Sequence, residues 1–214
     1  MIKSINKYGL DILNAWKIQL VKDGKKFIIT PAHNIIYKSK NTNKFVPSPF
    51  IPEKYTKNWY VPKKYIQSRE YDLMNDIAFM PLDNNSSVIK SKYIDINKIY
   101  KINYYYYQPY DYANNKLLID RYQLGCGQTI IYNCPNTECM EGLNFGFRGM
   151  SGAAITDSYS NKFIGLFIRK IGNLGINKID SRLDTEMIGV SRGFVMSVKY
   201  IENIIYSNDN IKIL

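Results

Sequence analysis

The sequence is poor in the residues that build metal sites and disulfide frameworks. Among its 214 residues are one histidine and three cysteines, Cys126, Cys134 and Cys139. Three thiols cannot complete a disulfide framework, and so low a count favours a reducing compartment. A zinc site is disfavoured because three thiols need a fourth ligand and the only histidine, His33, lies far from them in the sequence. We therefore expect no metal site. We also expect no cofactor.

Long apolar runs are also missing. No uninterrupted apolar stretch approaches the roughly 20 residues that a membrane-spanning helix needs. Near the N-terminus, Asp11 and Asn14 interrupt any hydrophobic region, which argues against a secretory signal. We expect a protein that has no membrane partner and lies in the cytoplasm or inside a virion.

Acidic residues are outnumbered, with 18 Asp and Glu against 29 Lys and Arg, giving a net charge of +11. Such a charge is typical of proteins that bind nucleic acid. Lys, Asn, Ile and Tyr are abundant together here, and all four have A/T-rich codons, so biased codon usage accounts for much of the excess. The lysines are also scattered rather than gathered in one block. Nucleic acid is therefore the less favoured partner.

Most of the sequence consists of short strand-like segments separated by turn residues. Residues 16–21 alternate, Asp23-Gly24 predicts a tight hairpin turn, and residues 26–30 predict the return strand. The tyrosine run at residues 104–107 predicts one strand with rings on both faces rather than a platform for stacking bases. Residues 200–206 have helical spacing. Together these patterns predict an all-β sandwich or barrel that ends in a helix.

Three short segments contain residue types that activate a nucleophile. His33 ends the segment Thr-Pro-Ala-His, just after a predicted strand; Asp76 lies in Asn-Asp-Ile-Ala; Ser151 lies in Gly-Met-Ser-Gly. A base, a carboxylate that orients it and a hydroxyl flanked by glycines are the parts of an activated serine. Histidine suits the role of base because it changes charge near neutral pH.

These three segments resemble the histidine, aspartate and serine boxes of the chymotrypsin-like serine proteases, in the same order. They are spaced by 43 and 75 residues (76 − 33 and 151 − 76). Residues 165–168 and 193–201 resemble the strand after the serine loop and the last strand with the start of the terminal helix. The resemblance is closer to intracellular and viral members than to secreted zymogens.

The resemblance implies a double antiparallel β-barrel with a C-terminal helix. An N-terminal barrel, residues 1–100, would carry His33 and Asp76; a C-terminal barrel, residues 101–214, would carry Ser151 and end in the helix. The function implied is that of a serine endopeptidase that acts on a protein or peptide through an acyl-enzyme. Ser151 would attack, His33 would move the proton, Asp76 would orient the ring, and the N–H groups of Gly149 and Ser151 would bind the oxyanion.

The sequence departs from the family pattern in the serine loop and in the substrate pocket. Met150 replaces the aspartate that pairs with a new N-terminal amine in secreted members, so we expect the oxyanion loop to assemble without zymogen cleavage. The resemblance assigns the substrate pocket to Phe145, Ile168, Lys170 and Gly193, which predicts an apolar or small residue before the cleaved bond. Three nearby cations leave an acidic residue as the alternative: Arg148, Lys170 and Arg192.

A second class of function stays open at the level of sequence. A protease-like fold could serve as a non-enzymatic module that binds nucleic acid or forms part of a particle. Covalent labelling of Ser151 by a serine-reactive probe separates the two hypotheses.

Overall fold

The fold comes from a computed structural model of the chain, which describes residues 8–10, 13–39, 41–42, 44–48, 57–68, 71–95, 97–108, 110–111, 116–117, 123–133, 138–143, 146, 149–173 and 191–213. Most of the regular structure in these residues is β-strand. The strands, in chain order, are β1 Gly9–Leu10, β2 Ala15–Gln19, β3 Lys26–Thr30, β4 Ile36–Lys38, β5 Phe45–Pro47, β6 Trp59–Pro62, β7 Ala78–Pro81, β8 Ile89–Lys90, β9 Tyr100–Gln108, β10 Tyr110–Asp111, β11 Lys116–Leu117, β12 Gln123–Asn133, β13 Met140–Leu143, β14 Ala154–Asp157, β15 Phe163–Asn173, β16 Ser191–Ser197 and β17 Asn210–Ile213.

Helices are few and short in this part of the chain. They are α1 Ala32–Ile35, α2 Lys63–Gln67 and α3 Val198–Ile205, with a 3-10 turn at Leu73–Asn75. None of the described helices has the length and apolar character needed to cross a bilayer.

The strands form two main sheets. One sheet runs in the order β1-β2-β3-β7-β6-β17, with β8 added in parallel beside β2. The other is a closed antiparallel barrel in the order β12-β13-β16-β15-β14-β9. The prediction of an all-β fold of antiparallel barrel architecture with a C-terminal helix is confirmed. The domain boundary near residue 100 stays a prediction; β17 pairs with the sheet of the first half although it lies at the other end of the chain.

A shared apolar core joins the two sheets. It contains Trp16 and Ile18 from β2, together with Tyr105, Leu166 and Met196 from the barrel. A second cluster fills the first sheet, and a third fills the barrel. The tyrosine run fits this layering, because Tyr105 and Tyr107 enter the shared core while Tyr104 and Tyr106 pack against the barrel cluster. The two halves are therefore held in one arrangement by buried apolar surface.

Helix α3 continues directly from β16, and its apolar side chains join the shared core. Val198, Ile201 and Ile205 are buried at helical spacing, and the Ser197 hydroxyl accepts from the Tyr200 N–H at the N-cap. Glu202 on the same helix is only 2 % exposed. Its Oε1 accepts from the main-chain N–H of Val21 at 2.6 Å and of Lys22 at 3.1 Å, in the hairpin turn after β2.

The Glu202 carboxylate has a third donor in Tyr93. The Tyr93 hydroxyl donates to Glu202 Oε2. Burial, followed by this hydrogen bond, raises the pKa of Tyr93 to about 12. One buried carboxylate thus ties the terminal helix to the hairpin of the first sheet and to the segment that leads into the barrel.

We expect Glu202→Gln to lower the free energy of unfolding by about 1–3 kcal/mol, because hydrogen bonds to a charged acceptor are the stronger kind and the amide nitrogen cannot accept from Tyr93. Urea denaturation followed by fluorescence measures the change. Glu138→Gln is the matched control, since the Glu138–Lys199 ion pair beside the same helix is partly exposed and is worth about 0–1 kcal/mol. Equal losses of unfolding free energy in the two variants would contradict the role of Glu202 in holding helix α3.

Candidate active site

His33 and Asp76 are brought together by the pairing of β3 with β7. Thr30, at the end of β3, pairs with Ala78, at the start of β7. His33 follows in the short helix α1, and Asp76 lies just before β7. His33 Nδ1 lies 2.6 Å from Asp76 Oδ2, and the His33 main-chain N–H donates to Asp76 Oδ1 at 2.9 Å. Asp76 is fully buried, whereas the His33 side chain is 30 % exposed. The ring is therefore anchored on one side and open on the other.

Tyr71 is the third group on this carboxylate. Its hydroxyl donates to Asp76 Oδ2, the same oxygen that faces His33. The Tyr71 ring meets the His33 ring edge to face, with centroids 6.3 Å apart. Burial, followed by the nearby Asp76 charge, raises the pKa of Tyr71 well above its usual range, so the hydroxyl keeps its proton and remains a donor. No motif in the sequence marks Tyr71.

Ser151 occupies the corner of a tight turn between Met150 and Ala153. The Ala153 N–H donates to the Met150 carbonyl at 2.9 Å, and Gly152 has a φ of +88°. This is the geometry of a type II turn, whose third position needs a positive φ and therefore glycine. A Cβ on Gly152 would also lie 2.4 Å from the Asn14 carbonyl oxygen. Met150 is buried in the barrel cluster, which fixes the turn to the second half.

Three side chains of the first half hold the carbonyl groups of this serine loop. Asn14 Nδ2 donates to the Gly149 carbonyl at 3.2 Å. Asn34 Nδ2 donates to the Ser151 carbonyl at 3.3 Å. Trp16 Nε1 donates to the Gly152 carbonyl at 2.7 Å. The loop that carries Ser151 is therefore positioned by the half of the molecule that carries His33 and Asp76.

Asn14 is the centre of this contact. It is 3 % exposed and has a φ of +45°, a left-handed conformation that asparagine tolerates better than most residues. Besides holding the serine loop, its Nδ2 donates to the Tyr107 carbonyl at 3.0 Å, and its Oδ1 accepts from the Tyr107 N–H. One side chain thus satisfies main-chain groups of two separate barrel segments.

A cavity of about 520 Å³ lies where these elements meet. His33, Ser151 and Gly149, whose φ is +91°, all line it. The remaining lining residues are Tyr71, Phe167, Arg169 and Lys170. The structure therefore brings two of the three predicted catalytic side chains to one cavity and keeps the third, Asp76, behind the imidazole.

The predicted substrate pocket is rearranged by a β-bulge in β15. Phe167 pairs with Val195 and Arg169 with Phe194, so Ile168 is the extra residue. Ile168 is buried in the shared core rather than lining the cavity, which corrects its predicted place; Phe167 and Arg169 stand there instead. Bulges re-aim side chains in this way beside many active sites.

The other predicted pocket residues have different outcomes. Lys170 lines the cavity. Gly193 pairs with Lys170 and with Gly142 inside the barrel sheet. Arg192 is committed to a buried ion pair with Glu141 at 3.0 Å, so it does not supply the cation expected near the cleft. Phe145 and Arg148 lie outside the described residues.

The cysteines lie away from this cavity as far as they are described. Cys139 is buried in the shared core and Cys126 is exposed, while Cys134 falls outside the described residues. Within the described part of the chain, no group of three or more metal-binding side chains gathers at one place.

No model of a known protein family matches the sequence, and no curated protein matches it. Among solved structures, the chain is similar to one concerning the intrinsically disordered Sesbania mosaic virus VPg protein (15 % identity, covering 91 % of this chain and 84 % of that one, TM-score 0.47). It is also similar to a catalytically inactive tobacco etch virus protease complexed with substrate, at 10 % identity over 90 % of this chain and 82 % of that one, with a TM-score of 0.41. A third similar structure is the MamO protease domain of Magnetospirillum magneticum, at 9 % identity over 83 % of this chain and 81 % of that one, with a TM-score of 0.39. Similarity at this level says nothing about the chemistry of this chain.

We expect Asn14→Ala to lower the free energy of unfolding by about 3–5 kcal/mol, because it removes three hydrogen bonds, two of them fully buried, and leaves an alanine at positive φ. Asn14→Gly removes the same bonds without the backbone penalty and should lose about 1 kcal/mol less. Urea denaturation measures both.

The control for this pair is Asn203→Ala, which removes an exposed bond to Glu138 and should change stability by no more than about 0.5 kcal/mol. An Asn14→Ala loss as small as that of the control would show that Asn14 does not hold the two halves together.

Proposed function

We propose that this protein is a serine endopeptidase that cleaves protein or peptide substrates through an acyl-enzyme. Ser151 is the nucleophile, His33 the base, and Asp76 the carboxylate that orients the base. The observation that carries this proposal is the hydrogen bond between His33 Nδ1 and the buried Asp76, on a ring that lines the same cavity as Ser151.

The contact between His33 and Asp76 supports a defined tautomer. A carboxylate 2.6 Å from Nδ1 favours the neutral tautomer that has its proton on Nδ1, and in that tautomer Nε2 is an acceptor. That nitrogen can take the proton of a serine hydroxyl during attack and return it to the leaving amine. The buried negative charge also stabilises the imidazolium that forms in between.

The conformation of the serine loop supports an oxyanion site at Gly149 and Ser151. The carbonyl groups of Gly149, Ser151 and Gly152 are engaged by donors from the first half. The Gly152 N–H is also engaged, since it donates to the Phe167 carbonyl at 2.8 Å. The N–H groups of Gly149 and Ser151 are the donors proposed for the oxyanion, and one such donor is typically worth about 3–4 kcal/mol of transition-state stabilisation.

Activation by cleavage is not required in this proposal. Met150 is an apolar side chain in the barrel cluster and cannot form a buried ion pair with a new N-terminus. The serine loop is instead held by uncharged donors that are present in the uncut chain. We propose a processing protease of viral or intracellular type as the setting, on the basis of the resemblance in sequence.

We expect a fluorophosphonate probe to label the wild-type protein at a serine and to miss Ser151→Ala. Labelling should weaken on acidification, because a protonated imidazole cannot accept the serine proton. Mass spectrometry of the labelled peptide measures both effects. Ser87→Ala, at an exposed serine remote from the cavity, is the matched control and should label normally. A folded protein that never labels would overturn the proposal and favour a binding module.

Tyr71 is a positioning residue in this proposal. We expect Tyr71→Phe to lower the labelling rate and to move its pH dependence toward higher pH. With one donor removed, the Asp76 carboxylate holds the imidazolium proton more strongly, so the free base appears only at higher pH. A pH series of labelling rates measures the shift, which a purely structural loss would not produce.

The control for this variant is Tyr65→Phe. The Tyr65 ring packs edge to face on Tyr71, with centroids 6.5 Å apart. It is expected to leave the pH dependence where it is. An unchanged profile in Tyr71→Phe, with the protein folded, would remove Tyr71 from the proposed mechanism.

A further inference from the structure

The cavity is lined by positive charges that have no role in the proposed chemistry of Ser151, His33 and Asp76. Arg169 and Lys170 line it beside Ser151, and both side chains are exposed. No aspartate or glutamate is among the described lining residues, since Asp76 is buried behind His33. The ion pairs of the described residues include neither cation. Two positive charges therefore face the space that a substrate would enter.

Both cations belong to β15, directly after the bulge at Ile168. In a regular strand, neighbouring side chains point to opposite faces. Here the register shifts between Phe167 and Arg169 and again after Lys170. Arg169 and Lys170 lie between these two irregularities, and both line the cavity.

Arg169 is also held in place. Its guanidinium carbon lies 4.4 Å from the centroid of the Tyr71 ring, a cation–π contact. Tyr71 is itself fixed by its hydrogen bond to Asp76. A guanidinium that is already oriented loses less entropy when it binds a carboxylate, and its planar donors match two carboxylate oxygens at once.

We propose that the cavity selects an acidic side chain, glutamate or aspartate, on the substrate residue that supplies the attacked carbonyl. Arg169 binds the carboxylate, and Lys170 adds a second positive charge. This inference rests on the proposed endopeptidase function. It replaces the apolar or small residue expected from sequence, because that expectation placed Ile168 on the pocket wall.

The test uses four peptides that differ only at this residue, which is Glu, Gln, Leu or Lys and is followed by a fluorogenic amide leaving group. We expect kcat/KM to be at least about tenfold higher for the Glu peptide than for its isostere with Gln, as one charge-assisted contact allows. The ratio of kcat/KM for the Glu peptide to that for the Gln peptide should fall in Arg169→Gln and in Lys170→Gln. The double variant Arg169→Glu with Lys170→Glu should prefer the Lys peptide. The ratio should also fall at high salt.

Lys162→Gln, an exposed lysine in the turn between β14 and β15, is the matched control and should keep the wild-type ratio. A wild-type preference for Leu or Lys, or a Glu-to-Gln ratio that both cavity variants leave unchanged, would overturn the inference while the labelling of Ser151 still supported the endopeptidase.

A binding experiment tests the acidic recognition site independently of the proposed endopeptidase activity. Calorimetry of Ser151→Ala with short peptides ending in Glu or Gln measures recognition without catalysis. Tighter binding of the Glu peptide, lost in Ser151→Ala combined with Arg169→Gln, supports the acidic site even if the wild-type protein never labels. Equal binding of the two peptides counts against it.

Discussion

Side-chain donors of the first half hold the main-chain carbonyls of the loop around Ser151, and the site depends on this contact. His33 and Asp76 are neighbours because β3 and β7 pair, but Ser151 belongs to the other sheet. The amide of Asn14 and the indole of Trp16 are buried donors, so their hydrogen bonds to the serine loop form only when the two halves are docked. Docking of the halves and assembly of the site are thus one event.

Asp76 and Glu202 are bound in the same way. Each is a buried carboxylate with three donors, and each joins elements that are distant in the sequence. Buried charge is costly unless its hydrogen bonds are satisfied. Asp76 orients the imidazole of His33, while Glu202 fixes the terminal helix. The two sites show how one chemical device serves both geometry at the cavity and the architecture around it.

Local features of the fold and site were predictable from the sequence because each depends on residues that are adjacent in the chain. The hairpin turn at Gly24 has the positive φ that Asp-Gly predicts, and the buried residues of α3 have helical spacing. His33 just past a strand and Ser151 between glycines are likewise local signals. Their meeting at one cavity was inferred from the order of the three segments rather than from any one of them.

The features that escaped prediction depend on distant partners. The bonds of Asn14 to Gly149 and of Asn34 to Ser151 span more than half of the chain, and nothing near either asparagine in the sequence announces them. Tyr71 acts through a hydrogen bond that no spacing rule encodes. The bulge at Ile168 moved the pocket assignments by shifting the register, an effect that counting residues from Ser151 cannot detect.

The pairing of β17 with β6 has a consequence for how the molecule is made. Ile211 lies opposite Val61, so an edge of the first sheet is completed by residues that are synthesised much later than β6. During translation, β6 leaves the exit tunnel long before its neighbour exists and presents unpaired main-chain groups in the meantime. The nascent polypeptide must therefore shield or tolerate an open sheet edge until β17 has been synthesised.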